Sequence, residues 1–282
     1  MAGLLAGLLG GFAGALHPLG DSLAVFRAAI AGLTLLLLPL ARPGRAAGWV
    51  IAGACLVGLA TVAWHKLPRA GPGPVTVYQK NMHYRDADVA ALARDILATM
   101  PDLVTLQEVS VANEALLDLL LDAYPRQHLC RYTRQSGVAI LTRHPVIEAP
   151  VCGQALGLAG LRVAMPAGPV WVLSLHLAHP WPGRQPEQLA ALGPELAALA
   201  GDKIIGGDFN MVPWAHAFSR AVRQSGATPA GPARASFRLG PVPLAIDHVL
   251  APGGGRTTAR PRLGSDHRGL LARVHPARRQ DR

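Results

Sequence analysis

Apolar residues crowd the first quarter of the chain, then thin into short runs that alternate with polar turns. Three apolar runs, 2–16, 23–41 and 48–65, precede residue 70. Crossing a bilayer takes about 20 apolar residues in a helix. The second run reaches that length if Arg27 snorkels to an interface, and the third reaches it with its flanks. The first is marginal, but Gly3, Gly7, Gly10, Gly11 and Gly14 would let it pack closely on a neighbour. The expectation is an all-α transmembrane region over residues 1–70 with three spans, or two. His17-Pro18-Leu19-Gly20 and Arg42-Pro43-Gly44-Arg45 read as its turns. Residues 1–73 hold one carboxylate, Asp21, and the start is uncharged, unlike the basic start of a cleaved signal peptide. Arg42 and Arg45 place the loop between the second and third runs in the cytoplasm, so the following chain would lie outside. Lys66 and Arg69 argue the other way.

Gly71-Pro72-Gly73-Pro74 reads as a linker, 71–74. Residues 75–276 then have the size of one domain, followed by a basic tail, 277–282. Strand-like runs are expected at 75–79, 103–106, 138–142, 170–176, 203–205, 246–251 and 269–274. Val89, Leu92, Ala93, Ile96, Leu97 and Met100 recur at helical spacing, with Asp86 or Asp88 as cap and Pro101 as stop. Asn113 is placed to cap a second helix through Leu121, and a helix over 186–200 is expected to break at Gly193-Pro194. Strands mixed with helices suggest a layered α/β sandwich.

The 282 residues are 50% hydrophobic and only 16% charged, which excludes intrinsic disorder. Mean hydropathy of +0.26 fits membrane segments. A net charge of +10 favours anionic partners such as phosphates, nucleic acid or acidic lipid. The three cysteines lack a zinc spacing; Cys130 and Cys152 would pair only in an oxidising compartment, and their spacing leaves that open.

Polar residues recur where each apolar strand stops. They are Asn81, Glu108, His176, Asp208 with Asn210, Asp247 with His248, and Asp266 with His267. Clustered carboxylates repel unless a cation or proton sits among them, and an oxygen-rich donor set selects Mg²⁺ or Mn²⁺ over zinc. Such a metal neutralises phosphate charge and activates water. The constellation therefore asks for metal-assisted hydrolysis of a phosphate ester.

Six short runs carry a family likeness: Gln107-Glu108-Val109, Ser136-Gly137-Val138-Ala139-Ile140-Leu141, Ser174-Leu175-His176-Leu177, Gly207-Asp208-Phe209-Asn210, Ile246-Asp247-His248-Val249 and Ser265-Asp266-His267-Arg268. Their order resembles the endonuclease/exonuclease/phosphatase superfamily, in the form of a membrane-anchored bacterial member. The resemblance implies a four-layer, DNase I-like α/β sandwich over residues 75–276 and a Mg²⁺- or Mn²⁺-dependent phosphoric ester hydrolase. It implies that Glu108, Asp266 and Asn81 serve the metal, and that His176 contacts the scissile phosphate. It gives Asp208 and Asn210 the orientation of water and phosphate, and makes Asp247 the carboxylate that orients His267. Chemistry supports the last pairing: a histidine titrates near neutral pH, and a carboxylate on one ring nitrogen fixes the tautomer. Ser136 and Ser265 either hydrogen-bond the phosphate or cap turns. Arg268 either contacts an anionic substrate or packs as an exposed strand residue.

The domain is compact and the chain's aromatic content is only 5%, which disfavours the basic and aromatic loops of DNA-specific nucleases. Trp181 and Trp214 follow His176 and Asn210 within Pro-containing loops, where they would rest at a membrane interface or pack inside. The expected substrate is a phosphate ester or diphosphate on a lipid, reached from the bilayer by a multi-pass protein of the bacterial inner membrane with its catalytic domain in the periplasm. A tethered nuclease acting on extracytoplasmic nucleic acid is the alternative. A non-catalytic phosphate-binding envelope protein is a third reading, which five intact catalytic positions disfavour. No protein partner is expected.

Overall fold

The computed structural model describes residues 1–68, 70–85 and 87–277. The expectations for Arg69, Asp86 and positions 278–282 of the tail lie outside these residues.

The first 64 residues form four helices, α1 (Ala2–Gly10), α2 (Leu19–Val25), α3 (Arg27–Ala41) and α4 (Arg45–Trp64). The three apolar runs do not become three long helices. α1 has nine residues, or about 14 Å at ~1.5 Å per residue, less than half the roughly 30 Å hydrocarbon core. The second run divides at Phe26, where α2 and α3 bend by 66°. Among the described helices α4, with 20 residues and a mean hydropathy of 2.0, is long and apolar enough to cross a membrane, and α2 with α3 passes the same test only if counted together. Leu8, Ala31 and Cys55 form the small core of this group, while Leu33, Leu36, Leu40, Trp49 and Leu56 face outward. Arg27 does not reach out to an interface. It is buried, donates to the Gly11 carbonyl and to Thr61 Oγ1 (3.2 Å), and lies 3.9 Å from the Phe12 ring centroid. The end of α1 leaves that carbonyl without a helical donor, and the guanidinium takes it.

The rest of the chain alternates strands and helices: β1 (Val75–Asn81), α5 (Val89–Thr99), β2 (Leu103–Val109), α6 (Ala115–Leu119), β3 (Arg126–Arg131), β4 (Gly137–Thr142), β5 (Val151–Cys152), β6 (Leu158–Met165) and β7 (Gly168–His176). There follow α7 (Gln185–Ala198), β8 (Lys203–Asp208), α8 (His216–Ser225), β9 (Thr228–Gly231), β10 (Phe237–Leu239), β11 (Val242–Leu244), β12 (Asp247–Ala251), β13 (Gly255–Ala259) and β14 (Leu270–Val274). Twelve strands run in the order β3-β4-β2-β1-β14-β13-β9-β12-β8-β7-β6-β5, and β10 pairs with β11 in a separate hairpin. The array folds into two six-stranded halves at the β13–β9 junction.

Side-chain alternation explains the layers. Val77, Leu103, Ile140, Val172, Ile204 and Val249 meet between the halves. The opposite face of the first half, with Tyr78, Val104 and Leu106, is covered by Leu92 and Ile96 of α5 and Leu116 of α6. The opposite face of the second half, with Leu173, Leu175 and Ile205, is covered by Leu189 and Leu192 of α7 and Phe218 of α8. The result is a four-layer α/β sandwich. Cys130 and Cys152 form a disulfide that joins β3 to β5, the two end strands of the array.

Two local expectations are corrected. α7 runs through Pro194 without breaking, because Leu189, Leu192 and Leu196 on one face are all anchored in the core. Asn113 does not cap α6, whose N-cap is Glu114. Asp88 does cap α5, accepting from Ala91 N at 2.9 Å. The N-terminal helices rest on the loops after β7 and β8 and on the start of α8: Trp214 Nε1 donates to Ala24 O (2.7 Å), Ser22 Oγ to Trp181 O (2.5 Å), and Ala217 N to Asp21 Oδ1 (3.1 Å).

Candidate active site

Strand register alone assembles half of the site. β7 and β8 are parallel with His176 opposite Asp208, and β12 is antiparallel to β8 with Asp247 opposite that same aspartate. β1 runs parallel to β2, bringing Asn81 beside Gln107 at the same edge. Glu108 follows at a β-bulge, where the pairing of β2 with β4 shifts register between Gln107 and Val109. Its φ of 55° lies in the left-handed region, which is uncommon outside glycine and asparagine and is characteristic of functional positions. Asn113 holds that turn, donating from Nδ2 to Glu108 O (3.0 Å) and His83 O (3.3 Å) while its Oδ1 accepts from Ser110 N (2.8 Å). Asn210 is also left-handed, with φ 47°; its backbone N–H donates to Asp208 Oδ1 and its Nδ2 to Leu177 O, both at 2.8 Å.

The acids converge on one amide. Asn81 Nδ2 donates to Glu108 Oε1 and to Asp208 Oδ2, each at 2.9 Å, and Asn81 Oδ1 accepts from His83 N. His176 Nε2 lies 4.0 Å from Glu108 Oε1 and 3.8 Å from Asp208 Oδ2. On the other side, His267 Nδ1 is 2.7 Å from Asp247 Oδ2, and its Nε2 is 3.8 Å from Asp208 Oδ2. A buried polar chain backs Asp247. Gln79 Nε2 donates to Asp247 Oδ1 (2.8 Å) and to Gln107 Oε1 (2.8 Å), Gln107 Nε2 to Ser174 Oγ (3.0 Å), and Ser174 Oγ to Leu106 O (2.9 Å). Ser236 Oγ accepts from Asp247 N at 3.2 Å.

These contacts set the charges. Burial pushes the Asp208 carboxyl up, and the Asp247 carboxylate adds to the push. Burial acts on Asp247 in the same sense, yet the His267 imidazole and the Ser236 and Gln79 hydrogen bonds outweigh it and hold Asp247 below the usual range. Burial would lower His267, but Asp247 and Asp208 carry it up to about 10. A cation beside Asp208 would cancel part of that field and bring the imidazole back toward neutral pH.

The residues present fit a hard divalent cation. Asp208, Asp247 and His267 offer ligand atoms within 4.8 Å of one another, and Glu108 shares the Asn81 amide with Asp208. Asp247 and His267 already bind each other, so Glu108 and Asp208 are the acids left to hold the ion. Asp266 is exposed at the rim, outside that close group, and Asn81 turns its amide nitrogen to the acids. Ser136 lines a cavity of about 670 Å³ together with His176 and Asn210. Ser265 serves the backbone: its Oγ donates to Asn81 O (2.8 Å) and accepts from His267 N (2.9 Å). Arg268 is exposed and lines a different cavity.

Sequence reasoning missed Gln79, Lys80, Gln107, Ser174, Ser236 and the actual task of Asn113. Lys80 is fully buried and its Nζ donates to Arg262 O and His267 O, both at 2.6 Å, fixing the loop that carries His267. The available signal was the run Gln79-Lys80-Asn81 closing an otherwise apolar strand, since buried polar groups need dedicated partners.

His248, next to Asp247 in sequence, faces the other way. It is buried against Phe209 and Phe218 with Nε2 3.0 Å from Met211 O, and burial pushes it from 6.5 down to about 4. Its stabilising contribution is full above pH 6.5 and lost as pH falls toward 4. Wild type is therefore expected to lose up to about 3 kcal/mol more than His248→Gln between pH 7 and 4. Urea unfolding of both proteins at the two pH values checks this, and parallel losses would contradict it.

A family model described as "Endonuclease/Exonuclease/phosphatase family" matches residues 79–267. Comparison with curated proteins gives no significant match. Similar solved structures include TDP2 from C. elegans, with 19% identity, TM-score 0.56, and coverage of 70% of this chain and 74% of that one. They also include a mutant beta toxin from Staphylococcus aureus with bound magnesium ions (14% identity, TM-score 0.56, 71% and 99% coverage). A third is sphingomyelinase C from Streptomyces griseocarneus (17% identity, TM-score 0.54, 71% and 99% coverage).

Proposed function

Because the chain belongs to the endonuclease/exonuclease/phosphatase family, whose members are phosphoester hydrolases that use divalent metals, we propose that it is a membrane-anchored Mg²⁺- or Mn²⁺-dependent phosphoesterase acting on a lipid-linked phosphate ester or diphosphate. The carrying observation is the His267–Asp247 pair at 2.7 Å, whose Nε2 lies 3.8 Å from Asp208, the acid that shares the Asn81 amide with Glu108.

Asp247 orients His267 by accepting from Nδ1–H, so that once a cation beside Asp208 offset the field of the acids, the neutral ring would present an unprotonated Nε2 to the cleft. Nε2 takes the proton of a water that attacks phosphorus in line; as the new P–O bond forms, the P–O bond to the opposite leaving oxygen breaks, and that oxygen takes a proton from solvent. Asp208 orients that water, and its second oxygen is fixed by the Asn210 N–H. His176, beside the same carboxylates, donates to the phosphoryl oxygens as charge grows on them. Glu108 and Asp208 would hold the cation, and the exposed Asp266 beside His267 would add negative charge to the same region. When bound, the cation neutralises phosphate charge and polarises the ester.

Three features support the membrane and lipid part of this reading. The α4 helix is long and apolar enough to span, and apolar side chains cover the outside of the N-terminal group. Those helices rest on Trp181 and Trp214, in the loops that follow His176 and Asn210, so the cleft is held near the bilayer. The Cys130–Cys152 disulfide favours an oxidising compartment, in line with an inner-membrane protein whose domain over 75–276 faces the periplasm.

Metal removal tests the reading. The full chain in detergent is expected to lose turnover by at least about a thousandfold in EDTA and to regain it with Mg²⁺ or Mn²⁺. Polyprenyl diphosphate, phospholipid vesicles and single- and double-stranded DNA form the panel. Turnover confined to DNA would transfer the protein to the nuclease alternative; turnover indifferent to EDTA would remove the metal mechanism.

A further inference from the structure

Beyond the hydrolytic cleft lies a second concavity of about 490 Å³. It is lined by Phe237, Pro243 and Pro261 and by three arginines, Arg238, Arg262 and Arg268. Among the described residues, arginines ion-paired to a carboxylate are Arg131, Arg143, Arg162 and Arg260, and none of the three cavity arginines is so paired. Arg268 Nε makes only a long contact to Arg260 O, at 3.4 Å, which leaves its terminal nitrogens free. Three like charges around one cavity repel unless an anion joins them, and the planar fork of arginine matches phosphate oxygens two at a time.

The cavity adjoins the reacting group. Phe237 on its wall has its ring 4.9 Å from that of His267, and Arg268 is the next residue in the chain. The loop between Arg262 and His267 is held at both ends by Lys80 Nζ, so Arg262 and Arg268 sit on a fixed frame, while Arg238 is carried by β10. Pro243 and Pro261, each with a fixed φ, stiffen the lining.

We propose that this cavity is a second anion subsite: Arg238, Arg262 and Arg268 bind a phosphate adjacent to the one attacked, which makes the preferred substrate a diphosphate ester. The proposal rests on the hydrolase reading above and names its substrate class.

The test pairs wild type with an Arg238→Gln, Arg262→Gln double variant, each as the full chain in detergent. Substrates are a polyprenyl diphosphate, the soluble diphosphate diester ADP-ribose, and the single-phosphate diester bis(p-nitrophenyl) phosphate. The variant is expected to raise KM for the diphosphates at least about tenfold, with kcat nearly unchanged and KM for the single-phosphate ester unmoved. A rise for both diphosphates places recognition on the diphosphate itself; a rise for the polyprenyl compound alone places it on a lipid carrier. Pyrophosphate binding, followed by calorimetry, needs no turnover and is expected to weaken by a similar factor. An unchanged KM for the diphosphates, or an equal rise on all three substrates, overturns the subsite. Should wild type hydrolyse none of the three, the hydrolase reading fails, and pyrophosphate binding alone decides the cavity: weakening upholds it and equal binding overturns it.

Discussion

His267→Gln lowers kcat by about a thousandfold with little change in KM, because a positioned general base contributes on the order of 10² to 10⁴ in rate and little to substrate binding. Glutamine keeps a polar group near Asp247 but cannot accept the water proton. Asp247→Asn is expected to fall in the same range: it forfeits the 2.7 Å contact that fixes the tautomer and leaves Gln79 with a weaker acceptor. The two act as one unit, so the double variant loses little more than the worse single one. Initial rates at saturating substrate and saturating Mg²⁺ measure this, with Mg²⁺ affinity checked separately. Retained wild-type turnover in His267→Gln would remove the histidine from the chemistry.

Lys80→Met is the second large effect. The side chains are similar in length, so packing is conserved, but the carbonyls of Arg262 and His267 lose their donor at 2.6 Å. A buried acceptor left without a partner costs about 1–3 kcal/mol, so the pair predicts a loss of roughly 2–5 kcal/mol in unfolding free energy. Desolvation of the ammonium lowers its own value to about 8, which offsets part of that loss. Activity is expected to fall by more than instability explains, since Arg262, His267 and Arg268 ride on this loop. Thermal unfolding and kcat at a temperature where the variant stays folded separate the two effects, and Lys80→Arg, which keeps a donor, is expected to recover part of the rate. A Met variant with wild-type rate would leave Lys80 a purely structural residue.

Much of the site was legible because its chemistry sits at the ends of apolar strands. Glu108, His176, Asp208, Asn210, Asp247 and His267 interrupt hydrophobic runs, and a carboxylate cannot end a buried strand without a partner or an ion. The supports were less legible. Gln79, Gln107 and Ser174 lie between two facing half-sheets, and a strand's alternation says which face a residue takes but not which strand lies opposite. Asn113 looked like a helix cap because asparagine satisfies a backbone N–H wherever one is orphaned; the bulge at Glu108 offered the more demanding turn. Pro194 looked like a break, yet three core leucines held α7 together.

The N-terminal quarter divides in the same way. Its lack of acids and its apolar runs follow from the sequence alone, because hydropathy is local. How many of those runs form long helices was settled by the bend at Phe26 and the stop at Gly10, where Arg27 binds the carbonyl of Gly11. By itself the sequence determined the chemical inventory: six motifs, an oxygen-rich donor set, a basic excess and a membrane-compatible start. Tertiary structure decided the partnerships: Asp247 with His267, one asparagine between two acids, a disulfide across the array ends, and three arginines on one cavity. Composition and periodicity are carried by neighbours along the chain, whereas the hydrogen-bonded and disulfide partners among these lie 20 to 127 positions apart and meet only once the sheets have closed.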